Sequence, residues 1–235
     1  VAAAVGEAVP GVRTPEDLRA LLDRNLLQYG LRRCFRFDYR TMQMGWERFV
    51  IQTMLVLGPN EAGQQWMDRF FRQCYADLTG DGGYADYLVN GVNRDGSNYV
   101  GATFYTLAVP LNMVRNAAAL ERFVKLGGRV PAFAYDPAVN PRLAQAGYHL
   151  LNFRTAGGFG SIFGDGGGAF DFRFDSIPEG HNLCGDVFRW LFRHTADSRY
   201  AWMARAYGRG PETDDDEWAR IEAGAEGGRN PVLHA

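Results

Sequence analysis

Apolar residues recur along this chain at helical spacing, and turn-forming residues separate the runs. Leu18, Leu21, Leu22 and Leu26 form a stripe behind Thr14-Pro15-Glu16-Asp17. That tetrapeptide is a helix start, with Thr14 as cap, Pro15 at the first position and Asp17 facing back. Trp46, Phe49, Val50, Thr53, Met54 and Leu57 follow three-four spacing, and Ile51, Leu55 and Val56 make the opposite side apolar too. The pattern predicts a helix buried nearly all round. Gly58-Pro59 ends it, and Asn60 caps the next, which carries Trp66, Met67, Phe70, Phe71, Cys74 and Leu78. Two helices joined this closely form an antiparallel hairpin.

Residues 79–97, rich in Gly, Asp and Asn, are expected as a loop. A long helix follows from about Tyr99 to Leu126, kinked at Pro110 and stopped by Gly127-Gly128. Pro141 to Arg154 reads as another, with Leu143, Ala146, Leu150 and Leu151 inward. Two glycine runs, 157–160 and 164–168, then precede Phe170-Asp171-Phe172-Arg173-Phe174, whose period-two alternation predicts a short β element within 157–175. Helices from Asn182 to His194, from Asp197 or Ser198 to Tyr207, and from Thr213-Asp214-Asp215-Asp216 to Gly224 complete the chain. The fold class expected is mainly α, with antiparallel hairpins arranged as an incomplete α/α toroid or a helical solenoid.

Composition narrows the function. The 235 residues fit a single helical domain, 1–235, and the net charge of −2 gives no argument for a nucleic-acid or anionic-membrane partner. No apolar run is long enough to span a membrane. Cys34, Cys74 and Cys184 match no zinc or redox spacing and read as buried thiols. None of His149, His181, His194 and His234 pairs at metal-ligand spacing, so neither a metal nor another cofactor is expected. His149 and His194 fall on predicted helices and read as structural. His181, after Pro178-Glu179-Gly180, is the histidine best placed for a cleft. Asp77 to Gly82 imitates the start of a calcium loop, but Leu88 occupies the twelfth position where a bidentate Glu is required. The 157–168 glycines lack a following Lys-Ser/Thr and form no P-loop; Gly164-Asp165 is the part expected near a site. Among Trp46, Trp66, Tyr84, Tyr87 and Tyr99, sugar stacking is expected of the loop residues, since a helix aromatic more often lies in a core.

Asp95-Gly96-Ser97-Asn98-Tyr99 leads into a helix bearing Tyr105. Met42-Gln43-Met44-Gly45-Trp46 opens an earlier helix that runs through Leu55-Val56-Leu57-Gly58 and Glu61-Ala62 to Trp66. Phe163-Gly164-Asp165-Gly166-Gly167 precedes a helix and Ala196-Asp197-Ser198-Arg199-Tyr200. The order of these pieces resembles the helical domain of the heparinase II/III-like and alginate-lyase-like polysaccharide lyases. The resemblance implies an incomplete α/α toroid followed by a β-sandwich, a periplasmic or secreted location, and β-elimination on a uronic-acid glycan. It makes an acidic polysaccharide or oligosaccharide the expected partner. Tyr105 matches the catalytic tyrosine, and Gln43 stands where the family has Asn or Asn-His. His181 joins them as a catalytic candidate, with Asn98, Tyr99, Arg94, Trp46 and Asp165 around the substrate. Arg94 and Arg48 are the candidate sources of positive charge for an ionised tyrosine. The β-sandwich does not fit in 235 residues, so the chain is expected to be part of a larger protein or a shortened homologue. Two further readings stand beside it. One is a non-catalytic glycan-binding or scaffold module. The other is an α/α-toroid glycoside hydrolase using Asp95 and Asp165.

Overall fold

The computed structural model describes residues 11–34, 45–73, 83–97, 103–152, 185–206 and 213–227. Side chains of residues 33–34, 45–46, 73, 103–108 and 152 lie outside that description. The architecture is mainly helical, and no extended strand occurs among the described residues. The expected β element and glycine runs within 157–175 fall outside them, as does the toroid closure they would contribute to.

Helix α1, Pro15–Leu22, starts as its sequence dictates. Thr14 Oγ1 accepts from the Asp17 amide at 3.1 Å, and Asp17 Oδ2 accepts from the Thr14 amide at 2.9 Å. These two bonds satisfy groups the first turn leaves open. The helix widens into π turns at Asp23–Gln28 and continues as α2, Tyr29–Cys34. Trp66 Nε1 donates to Gln28 Oε1 at 3.0 Å and anchors it to the body.

Helix α3, Gly45–Leu57, and helix α4, Glu61–Gln73, form the predicted hairpin. Gly58 sits at φ 76°, where a side chain would be strained. Asn60 Oδ1 accepts from the Gly63 amide at 2.9 Å, and its Nδ2 donates to Leu57 O at 2.8 Å. Helix α3 is not buried all round: Val50, Ile51 and Met54 are in the core, but Phe49 and Val56 are exposed. On that side Phe49 is partly covered by Gly30 of α2, and Val56 stays open to solvent.

The expected 79–97 loop contains structure. Helix α5, Gly83–Asp86, runs into a π turn at Tyr87–Gly91. Tyr84, Tyr87 and Leu88 are buried, and the Tyr84 ring stacks on Phe70 at 4.7 Å. Such a pair adds about 0.5–1.5 kcal/mol beyond area burial. Core packing here overrides the turn-rich composition.

Helix α6, Thr103–Lys125, is the hub, packing on α3, on α7 (Arg142–Asn152) and on α8 (Gly185–Thr195). It passes through Pro110 and ends at Gly127, φ 98°, with Gly128 N donating to Phe123 O at 3.0 Å. Gln64 holds the exit: its Nε2 donates to Arg129 O at 2.9 Å, and its Oε1 accepts from the Arg129 amide at 2.8 Å. Helix α9, Ser198–Ala206, packs on α8 and on α10, Asp215–Glu226. Gly224 does not end α10. It lies inside the helix, where an added Cβ would meet Phe192 at 2.7 Å, so close packing selects glycine there.

Candidate functional site

Helix α3 brings the site's first group inward. Glu47 lies in the first turn on the same face as Val50, Ile51 and Met54, and it is fully buried. Neither carboxylate oxygen has a hydrogen-bond partner among the described residues. Burial pushes its pKa up to about 8, against a small opposing pull from its own backbone amide. Glu47 is therefore neutral at pH 7.

Its neighbour Arg48 points outward. Arg115 on α6 donates from Nε to Asp186 Oδ2 at 3.0 Å and from Nη2 to Asp186 Oδ1 at 3.1 Å, a two-pronged bond to the first turn of α8. Arg48 shares this field. Partial burial and the Arg115 charge lower its pKa, while Asp186 opposes them. The three helices α3, α6 and α8 thus bring two guanidinium groups and the Asp186 carboxylate together. Asn116, the residue after Arg115, is fully buried, with neither side-chain atom partnered among the described residues. Unpartnered buried polar groups are uncommon in folded proteins, and perturbed acids concentrate at functional sites.

The turn before α6 is equally defined. Asp95 Oδ1 accepts from Ser97 Oγ at 2.6 Å and from the Ser97 amide at 3.0 Å. Those two bonds lower the Asp95 pKa, with His149 contributing. Asn93 Nδ2 donates to Ser97 Oγ at 2.9 Å. Gly96, φ 82°, brings the turn onto α7, where a Cβ would lie 2.4 Å from the Ala146 amide nitrogen. A carboxylate held ionised in this way is unsuited to act as a general acid, which weighs against Asp95 in that role of a glycoside hydrolase.

A second polar knot sits at the α8–α9 corner. Tyr148 donates to Asp197 Oδ2 at 2.5 Å, Arg199 Nη2 reaches both, and the Arg199 guanidinium lies 4.2 Å from the Tyr148 ring centroid. Burial raises the Asp197 carboxyl, but the bonds from Arg199 and Tyr148 outweigh it and bring it to about 2. Burial and Asp197 together raise the Tyr148 phenol. Every strong donor here is already engaged, so this knot reads as a structural lock.

Of the residues singled out from the sequence, Gln43, Asn98, Tyr99, Asp165 and His181 lie outside the described residues. Trp46 lies in the first turn of α3 and Tyr105 in the first turn of α6, both with side chains outside the description. Arg94 is exposed in the Asp95 turn. Tyr84 and Tyr87 are core residues and not sugar platforms. His149 is buried, and His194 Nε2 lies 3.3 Å from Glu121 Oε2. The sequence reading overlooked Glu47, Arg115, Asn116 and Asp186. Glu47 had a signal: it precedes Val50, Ile51 and Met54 by three, four and seven positions, which sets it on the buried face.

Among the described residues, no three His, Cys, Asp or Glu side chains gather as a metal site requires. No described helix is long and apolar enough to cross a membrane. Comparisons with protein-family models, curated proteins and solved structures yield no match.

Proposed function

We propose that this is a polysaccharide lyase-like domain acting on a uronic-acid-containing glycan by β-elimination. The supporting observation is the gathering of two guanidinium groups, Arg48 and Arg115, near the start of α3. They share one electrostatic field with Asp186, and Glu47, neutral at pH 7, adds no charge to it. A uronate carboxylate is a ligand that guanidinium forks suit. Gln43 and Trp46 border this position in sequence.

In this reading the two guanidinium groups and Gln43 bind the uronate carboxylate and make the C5 proton more acidic. Tyr105 takes that proton or protonates the leaving oxygen. An unperturbed phenol titrates near ~10, so nearby cations are what would make it a base near neutrality. The product carries a new C4–C5 double bond.

The experiment is ultraviolet absorbance of the unsaturated product on addition of alginate, heparan sulfate and related uronate polymers. Growth of that absorbance, abolished in Tyr105→Phe with helical circular dichroism unchanged, is expected. Calorimetric glycan binding without any absorbance would replace the lyase reading with the non-catalytic binding module. The same arginines favour that alternative, since they attract a carboxylate whether or not a base is present. Neither binding nor turnover with any uronate glycan would end both readings.

A further inference from the structure

We draw no further inference here: the strongest candidate, the two fully buried polar side chains Glu47 on α3 and Asn116 on α6, carries nothing, because Glu47 belongs to the site already described and nothing among the described residues shows what either side chain would bind.

Discussion

The Tyr148 hydroxyl donates to Asp197 Oδ2 at 2.5 Å, and this bond ties α7 to the cap of α9 across 49 residues of sequence. The carboxyl is held at about 2 because the bonds it accepts outweigh its burial. Its folded pKa lies below its unfolded value, so its contribution is present above about pH 4 and is lost as pH falls through 2. Partial exposure reduces the figure to about 1 kcal/mol. Asp197→Asn should lower urea-unfolding stability by about that amount at pH 7, and the gap to wild type should close toward pH 2. A gap that ignores pH would show that Asp197 acts through shape and not through charge.

Ala196, immediately before that cap, is at φ 54°, the one non-glycine residue with positive φ among those described. A side chain there costs about 1 kcal/mol or slightly more relative to glycine. Ala196→Gly should therefore raise the melting temperature, by up to about 4 °C for a domain of this size. Thermal unfolding followed by circular dichroism reads the sign directly.

Gly147 predicts the opposite sign for the reverse change. In an ordinary helix interior, replacing glycine by alanine gains about 1 kcal/mol. Here the new Cβ would lie 2.5 Å from a Leu191 methyl and 2.8 Å from the Tyr200 ring. That ring is fully buried and its hydroxyl is bonded to Ala144 O at 2.7 Å, so it has little room to yield. Gly147→Ala should destabilise by about 1–3 kcal/mol in denaturant titration, the usual cost of overpacking. A stabilised variant would mean that α7 and α8 are less tightly apposed than described.

Glu47 gives a pH dependence of the other kind. Its folded pKa of about 8 lies above its unfolded value, so the stability it allows at acidic pH is lost as pH rises from about 4.5 to 8. Glu47→Gln should match wild type near pH 4.5 and exceed it by roughly 3–5 kcal/mol at pH 8 and above. Equal stability of the two proteins at pH 8 would mean that Glu47 finds a compensating partner.

Helix ends were the most legible part of the sequence. Thr14-Pro15-Glu16-Asp17, Gly58-Pro59-Asn60 and Gly127-Gly128 form the caps and stops expected of them, because capping is decided by neighbours a few residues away. Burial was less legible. Tyr84 and Tyr87 sit in a segment rich in turn formers, yet Phe70 and Phe71 draw them into the core. Phe49 and Val56 show the converse, apolar residues that the fold leaves exposed. Gly224 reads as a stop in sequence because nothing local reveals that Phe192 lies against it. The Arg115–Asp186 contact joins residues 71 apart, a separation at which spacing carries no information. The candidates carried by the lyase resemblance lie mostly outside the described residues; Arg48 and Arg94 are the charged ones within them.

The Gln64 amide meets the Arg129 peptide as a second backbone would, offering one donor and one acceptor in parallel. A lone side chain thereby fixes the direction in which the polypeptide leaves its longest helix. Lengthening the chain between Gly127 and Pro131 should thus be far less tolerable than its surface position suggests, whereas Gln64→Glu, which repels the Arg129 carbonyl, should leave that exit free to swing.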